Sequence, residues 1–152
     1  MSNVHTVRIA NANDKSAWQA LWRSYQDFYE IELEDTINDI TWDRIIGDDT
    51  PEMGALLVET TGGQVVGLLN YVIHNITWSA APVCYLEDLF VDPDARGGGA
   101  ARALIEHLST MGRTAGWVRI YWHTARDNSQ AQILYNKVAE RTGWVRYDLD
   151  LD

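Results

Sequence analysis

The feature that most constrains this sequence is a glycine-rich turn that joins an apolar, strand-like run to a helical pattern. The run Val83–Val91 is followed by Arg96 and Gly97–Gly99, after which apolar residues recur at spacings of three and four. A strand that turns directly into a helix points unpaired backbone N–H groups outward at the positive end of the helix dipole. Because glycines let the backbone approach a ligand closely, this turn predicts an anion site, best suited to phosphate.

The residues that flank the glycines narrow the class of phosphate ligand. Neither Lys-Ser nor Lys-Thr follows them, which excludes a nucleotide-hydrolysing P-loop. The G-x-G-x-x-G spacing of a dinucleotide-binding fold is also absent. A glycine-rich turn taken alone is often only a loop, so the choice of ligand depends on the rest of the chain.

Strand and helix patterns alternate in the order β-α-α-β-β-β-α-β-α-β, which predicts an α/β sandwich of a mixed sheet with helices on both faces. The predicted strands are Val4–Ala10, Ala55–Thr60, Gln64–Trp78, Val83–Val91, Val118–Thr124 and a last strand from near Trp144, with a Thr61-Gly62-Gly63 hairpin turn between the second and third. The predicted helices run from an Asn13 or Asp14 cap to near Glu30, over Thr36–Gly47, from Ala101 to Gly112 or Gly116, and from a Ser129–Gln132 capping box.

Length and composition bound the class of protein. A chain of 152 residues with 46% hydrophobic content can close one sizeable core, so we expect a single domain over residues 1–152. No secretory signal and no membrane-spanning apolar run is visible, which favours a cytoplasmic protein without a membrane partner. The single cysteine, Cys84, lies in an apolar run and is expected to be buried. The four histidines lack metal-ligand spacing, so no metal site is expected.

Charge is distributed unevenly along the chain. The formal net charge is −10, which argues against nucleic acid as a partner. Residues 1–95 hold 4 basic and 16 acidic side chains, whereas residues 96–152 hold 8 and 6. Ten of the acids lie between Asp27 and Glu52, where Arg44 is the one base. A charge run is usually a solvated face, but this asymmetry also suits a site that joins a cationic substrate to an anionic cofactor.

Two motifs resemble those of the GNAT acetyltransferases. The pattern Arg96-x-x-Gly99-x-Ala101 is similar to the R/Q-x-x-G-x-G/A pyrophosphate loop of that family, and it stands between a strand and a helix as the family loop does. The stretch Asn128–Tyr135 resembles a second family motif, in which an Asn and a Tyr contact coenzyme A. The resemblance implies the GNAT fold, acetyl-CoA as cofactor and a homodimer.

Two further stretches resemble one small branch of the family. The pair Glu87-Asp88 resembles the Leu-Glu-Asp run of polyamine acetyltransferases. The stretch Trp18–Glu30 resembles the first helix of a branch that acetylates histone tails, polyamines and, in some members, D-amino acids. The resemblance therefore extends over nearly the whole chain.

The mechanism that the resemblance implies is direct attack of a primary amine on the thioester, with no acyl-enzyme. An alkylammonium with a pKa of about 10.4 must first lose a proton, so a nearby base or water chain is needed. Glu87, acting through water, is the first candidate and Asp88 the second, although Glu87 could instead be a strand carboxylate that faces solvent or pairs with Arg. Strand alternation would place Glu87 on one face with Leu89 and Val91, and Asp88 on the other.

Cofactor contacts are likewise implied by the resemblance. The backbone of Leu89 and Val91 would bind the pantetheine arm as a further strand does, and an N–H near Leu89 would polarise the thioester carbonyl. Tyr135 would protonate the leaving thiolate, although a Tyr at that helical spacing also suits a core. Asn128 could contact the cofactor or be a loop residue. The predicted cofactor-binding residues are Leu89, Phe90, Val91, Arg96, Gly97, Gly98, Gly99, Ala100, Ala101, Asn128 and Tyr135; Tyr135, Glu87 and Asp88 are the catalytic candidates, and Glu30, Glu34 and Glu87 the acceptor-binding ones.

The expected activity is transfer of the acetyl group of acetyl-CoA to a primary amine of a cationic acceptor: a polyamine, a basic peptide tail or an amino acid. One alternative is a dedicated amino-acid N-acetyltransferase, which needs a fixed cation for the substrate carboxylate; the acidic N-terminal half offers few. Another is an acyl-CoA-binding module without catalysis. The presence of both Glu87 and Tyr135 argues against that module.

Overall fold

The computed structural model describes residues 4–151 and divides into two compact units, one up to Trp122 and one from His123. None of its helices within the described residues is long and apolar enough to cross a membrane. The strands are β1 (Thr6–Ile9), β2 (Met53–Glu59), β3 (Val65–His74), β4 (Val83–Val91) and β5 (Ile120–Tyr121). The α-helices are α1 (Lys15–Phe28), α2 (Asp35–Ile46), α3 (Ala100–Ala115) and α4 (Ser129–Val138).

The first unit is a five-stranded mixed sheet with helices on both faces, as the sequence predicts. Its strands follow the order β1-β2-β3-β4-β5, and every pair is antiparallel except the parallel pair β4–β5. Helices α1 and α2 bury Trp18 and Trp42 against Leu57 and Leu68 on one face. Because side chains alternate along a strand, Leu56, which is also fully buried, points to the other face, where α3 packs on β2, β3 and β4.

Helix α1 begins and ends through local hydrogen bonds. Asp14 is the N-cap residue of α1, at a position where the sequence predicts the cap, but its side chain makes no cap hydrogen bond to the helix. Its carboxylate instead accepts from Asn11 N, in a capping box of the preceding 3-10 turn, and from Arg8. At the other end, Ile31 N donates to Gln26 O and Glu30 N donates to Asp27 O. This Schellman-type end places Glu30 at a φ of 55°, a left-handed position that normally favours glycine. The chain is thereby turned from α1 towards α2.

The second unit differs from the prediction at the cap of α4. The N-cap is Asn128, whose side chain accepts a hydrogen bond from Ala131 N. Gln132 does not reach back to the cap; its amide donates to the carbonyls of Ala125 and Arg126. The predicted Ser129–Gln132 capping box is therefore wrong, because an Asn one residue earlier supplies the acceptor.

Two predicted strands are shorter or missing among the described residues. Strand β5 covers Ile120–Tyr121 rather than Val118–Thr124, and no strand forms near Trp144. The apolar alternation that predicted the last strand is present, but Trp144 is 86% exposed and Tyr147 is 90% exposed. Alternation predicts a strand only where a neighbouring strand pairs with the backbone and one face is buried.

Candidate functional site

The glycine-rich loop before α3 has the backbone of an anion-binding turn. Gly97 and Gly99 have φ values of 86° and 89°, and Gly99 is the N-cap of α3. No side chain of the described residues caps this helix end. A Cβ added at either glycine would meet no atom within 4 Å, so the surrounding space is open. The residues present therefore fit a phosphate group held by backbone N–H groups.

Arg96 links this loop to the end of β4. Its guanidinium lies over the rings of Phe28 and Phe90, 5.8 Å and 5.5 Å from their centres. Its Nε donates to the Val91 carbonyl at 3.0 Å. A carbonyl oxygen has two lone pairs, so Val91 can still accept a second hydrogen bond. A cavity of about 360 Å³ lies here, lined by Ser24, Asp27, Phe28, Phe90, Pro93 and Arg96.

One edge of β4 is open beside the loop. Strand β5 pairs with β4 only at Cys84 and Tyr85, and no other described strand pairs with that edge of β4. The strand continues to Val91, where the loop begins. An extended ligand with amide groups could therefore hydrogen-bond to the β4 backbone in the region of Leu89 and Val91.

A β-bulge interrupts β4 at its two carboxylate residues. Asp88 pairs with Asn70 and Leu86 pairs with Tyr71, which leaves Glu87 as the extra residue of the bulge. The extra residue interrupts the period of two on which the prediction for Glu87 and Asp88 rests, so their placement on opposite faces stays a prediction. Burial raises the pKa of Tyr25, and the negative charges of Asp88 and Glu87 raise it further. Glu87 is exposed and Asp88 is half-buried.

Asp88 is held by a chain of hydrogen bonds that starts in the core. Trp18 Nε1 donates to Asn70 Oδ1 at 3.0 Å, which fixes the orientation of the Asn70 amide. Asn70 Nδ2 then donates to Asp88 Oδ2 at 3.1 Å, and the Tyr25 hydroxyl is hydrogen-bonded to the same carboxyl group. Burial raises the pKa of Asp88, and the hydrogen bonds from Asn70 and Tyr25 only partly oppose that shift. A carboxylate of raised pKa is a stronger base than an ordinary aspartate.

Cys84 is removed from this chemistry. Its side chain is fully buried, as the sequence predicts, and burial raises the pKa of the thiol to about 12. The thiolate is the nucleophilic form of cysteine, and with so high a pKa it is scarcely populated at neutral pH. Cys84 therefore does not supply a nucleophile.

A second cavity, of about 530 Å³, opens between the end of α1 and the start of α2. Glu30, a predicted acceptor-binding residue, lies in its wall. Glu34 does not: it precedes α2, and its carboxylate accepts a hydrogen bond from Thr36. Neither Glu87 nor Asp88 lines this cavity. The lining residues are Arg23, Gln26, Asp27, Glu30, Ile31, Glu32, Leu33, Asp35 and Asn38.

The two predicted site residues of the second unit lie on α4. Asn128 caps the helix, and its amide nitrogen donates to Thr124 Oγ1 at 3.4 Å. Tyr135 is half-buried, and its backbone carbonyl accepts from Ala139 N. Both side chains belong to an ordered helix of the second unit.

Several residues of the candidate site were not predicted from the sequence, because they belong to no local motif. Tyr25 belongs to the apolar stripe of α1, where an aromatic side chain suggests packing. Asn70 offered a signal, since a polar residue within the apolar run Leu68-Leu69-Asn70-Tyr71 must find a buried partner. Arg23 and Asn38 resemble ordinary helix-surface residues in the sequence.

Comparisons with known proteins agree on one family. The sequence model of the acetyltransferase (GNAT) family matches residues 15–139. A D-amino-acid N-acetyltransferase of Saccharomyces cerevisiae is 34% identical over 141 residues, 93% of this chain and 88% of that protein. A thialysine N-epsilon-acetyltransferase of Caenorhabditis elegans is 29% identical over 94 residues, 59% of this chain and 58% of that protein. An aminoglycoside N-acetyltransferase solved with coenzyme A has a TM-score of 0.82 at 19% identity, covering 99% of this chain and 97% of its own.

Proposed function

Because the chain belongs to the acetyltransferase (GNAT) family, we propose that it transfers an acetyl group from acetyl-CoA directly to a primary amine of a cationic acceptor. That the chain is an acetyl-transferring enzyme acting on amines follows from the family and its N-acetyltransferase relatives. What we propose beyond this is that the acceptor is cationic and that its amine attacks the thioester directly. A polyamine, a basic peptide tail and an amino acid are all acceptors of this class.

The observation that supports the proposal is the end of β4, where Asp88 is hydrogen-bonded by Asn70 and Tyr25 and follows Glu87 on the strand that leads into the phosphate-type loop. A base is needed next to the thioester because the acceptor amine is protonated at neutral pH. The strand thus provides a basic group and an open edge within a few residues of the loop. No single residue of this set would indicate the reaction alone.

The residues around the loop fit coenzyme A. Gly97 and Gly99 leave room for a pyrophosphate at the N-terminus of α3, and the first turn of that helix, from Ala100, contains no acidic side chain. When bound, acetyl-CoA would supply an acetyl group activated as a thioester. The contacts proposed for Leu89, Phe90, Val91, Arg96, Gly98, Ala101 and Asn128 follow from the same family resemblance.

Each proposed catalytic group has a separate task. Asp88 or Glu87 accepts the ammonium proton, directly or through water, and Asp88 is favoured by its fixed hydrogen-bond partners. The N–H near Leu89 polarises the acetyl carbonyl, where negative charge develops during attack. Tyr135 donates a proton to the departing sulfur. Glu30 attracts the cationic acceptor, since the described residues that line its cavity include four acids and a single base. Glu34 and Glu87 lie outside that cavity, and their proposed part in attracting the acceptor rests on their negative charge.

One alternative is supported by a particular relative. The Saccharomyces cerevisiae protein is named for D-amino acids, which favours a dedicated amino-acid N-acetyltransferase. A non-catalytic acyl-CoA-binding module is a weaker alternative, because such a module has no use for a carboxylate of raised pKa. The same proposal includes one catalytic domain formed by both units, across which the family match extends, and a cytoplasmic homodimer.

A thiol-release assay with purified protein and acetyl-CoA tests this function. The amines are spermidine, a lysine-rich peptide, and D- and L-amino acids, each compared with a reaction that lacks amine. We expect amine-dependent thiol release and an acetylated product of the matching mass. Tight binding of coenzyme A in calorimetry with no turnover on any of these amines would support the binding module instead.

A further inference from the structure

The open edge of β4 ends at a pair of tyrosine rings. Among the described strands, β5 pairs with this edge only at Cys84 and Tyr85, so the edge is open from there to Val91. We propose that Tyr85 and its partner Tyr121 limit the length of the acyl group, so that the enzyme selects acetyl-CoA over donors with longer acyl chains. This inference rests on the proposed function and adds a specificity site for its donor.

The pairing of β5 with β4 fixes where an extended ligand on this edge must end. A donor whose phosphates lie at the glycine-rich loop would run along β4 from Val91 towards Tyr85. At Tyr85 the edge is already occupied, because Tyr85 and Cys84 pair with Tyr121 and Ile120 of β5. An acyl chain too long for the open stretch therefore cannot continue in the plane of the sheet. It must turn out to one of the two faces.

The face that packs against α3 has no room for such a chain. Cys84 and Leu86 lie on it, since they pair with Ile73 and Tyr71, which are two residues apart on β3. The Tyr71 ring contacts that of Trp117, directly after α3, and α3 packs on both strands. Cys84 is fully buried and Leu86 nearly so. Because a protein interior is close-packed, a longer acyl chain turns to the other face.

Tyr85 lies on that other face, together with the proposed base Asp88. The two residues pair with Val72 and Asn70, which are two apart on β3 and therefore share a face. The bulge at Glu87 makes this possible, because residues three apart on a regular strand point to opposite faces. Two residues of a strand correspond to a separation of about 7 Å. An acyl group that turns to the face of the base therefore meets the ring of Tyr85.

The two tyrosine rings are held in place by His74. The rings of Tyr85 and Tyr121 are 4.9 Å apart between their centres, and both side chains are half-buried. His74 Nδ1 donates to the Asn75 carbonyl at 3.0 Å, so the neutral imidazole accepts through Nε2 from the Tyr121 hydroxyl at 2.7 Å. The His74 ring also meets the Tyr121 ring edge-on. Tyr121 cannot swing aside without losing these contacts, which makes His74 a positioning residue.

Acetyl-, propionyl- and butyryl-CoA provide the test, each assayed with the amine that gives the fastest thiol release from acetyl-CoA. A methylene without room should cost roughly tenfold, so kcat/KM of the wild type should be about 100-fold lower for butyryl-CoA than for acetyl-CoA. Tyr121→Ala should raise the butyryl-to-acetyl ratio of kcat/KM at least about tenfold. Tyr85→Ala should do the same, and it provides the test if circular dichroism shows that Tyr121→Ala does not fold.

Two milder variants separate the rings from their brace. Tyr121→Phe keeps the ring and loses the hydroxyl, whereas His74→Leu keeps an apolar side chain and loses the acceptor nitrogen. Each should raise the butyryl-to-acetyl ratio by about threefold, the scale of one hydrogen bond. The double variant should show no more than either single variant, because both remove the same interaction. A merely destabilised sheet would not change the ratio between two donors.

Trp78→Ala is the matched control. Trp78 lies in the connection between β3 and β4, outside both strands, and it is 92% exposed. Its replacement removes a large aromatic side chain next to the same strands without shortening either tyrosine. The butyryl-to-acetyl ratio should stay at the wild-type value.

Two results would overturn the inference while leaving the proposed function intact: equal kcat/KM for acetyl-CoA and butyryl-CoA in the wild type, or a ratio in the tyrosine-to-alanine variants no higher than in Trp78→Ala. Additive effects in the double variant would overturn the positioning role of His74. A failure of the proposed function would look different, since no acyl-CoA would then release thiol with any amine.

Discussion

The glycine-rich loop and the α1–α2 cavity are formed by different parts of the chain, and we propose that they bind ligands of opposite charge. The loop uses backbone: two left-handed glycines and the uncapped start of α3. The cavity uses side chains from two helices, whose buried amides are oriented by Trp22 and Leu33. The loop should therefore be sensitive to backbone conformation and the cavity to side-chain charge. Variants of one region should leave the ligand of the other largely unaffected.

The largest expected effect lies outside both regions, at the proposed proton donor. Tyr135→Phe should lower kcat by about 100-fold, the usual scale of general acid catalysis, while coenzyme A affinity and acceptor KM stay near wild type. Single-turnover thiol release measures the chemical step, and calorimetry measures the affinity. Wild-type single-turnover rates in this variant would make Tyr135 a packing residue.

Gly99→Val sharpens the comparison from the side of the loop. A β-branched residue at this left-handed position should cost on the order of 1–3 kcal/mol, or about 5- to 150-fold in coenzyme A affinity, and it places atoms where phosphate would lie. Gly116→Val is the control, because Gly116 ends the same helix with a φ of 79° and is equally open. Titration calorimetry should show weakened binding in the first variant alone. Equal coenzyme A affinities in the two variants would show that the loop does not bind the phosphate groups.

The acid limb of the pH profile distinguishes the two candidate bases. Burial raises the pKa of Asp88 above its usual 3.8, and the hydrogen bond from Tyr25 opposes that shift. Tyr25→Phe removes this hydrogen bond, so the carboxyl group should hold its proton to higher pH and the acid limb of kcat/KM should move upward. Tyr29→Phe, at a residue just after α1 whose ring packs against that of Tyr25, should leave the limb in place. An unmoved limb in Tyr25→Phe would identify Glu87 as the base.

Variants of Glu30 test whether the chain keeps a negative charge in the cavity wall at the expense of its free energy of unfolding. Glu30→Gly relieves the left-handed strain at the end of α1 and should raise the free energy of unfolding by up to about 1 kcal/mol. It should also raise the acceptor KM a few-fold, because it removes one acid from the cavity wall. Glu30→Gln, which keeps the strain, should raise KM without the gain in stability. Chemical denaturation and steady-state kinetics check both, and a stabilised Glu30→Gly variant with unchanged KM would reduce Glu30 to a surface residue.

The position of the loop was predictable from sequence because consecutive residues form it. They run from Arg96 to Ala101, so glycine spacing between a strand and a helix was enough to locate it. The helices and β4 were predictable for the same reason, through periodicity. The Asp88 network and the cavity were not, since Trp18, Asn70 and Asp88 meet only when α1 packs on the sheet. The bulge at Glu87 leaves no signal in β4 itself, so alternation alone could not predict the shift of register there.

The order in which substrates bind and products leave tests the central claim most directly. Direct attack needs acetyl-CoA and amine on the enzyme together, whereas an acyl-enzyme releases coenzyme A before the amine binds. Initial rates measured over a grid of both substrate concentrations should give intersecting double-reciprocal lines, consistent with the buried, protonated thiol of Cys84. Parallel lines, with a burst of thiol release in the absence of amine, would contradict direct transfer to the acceptor.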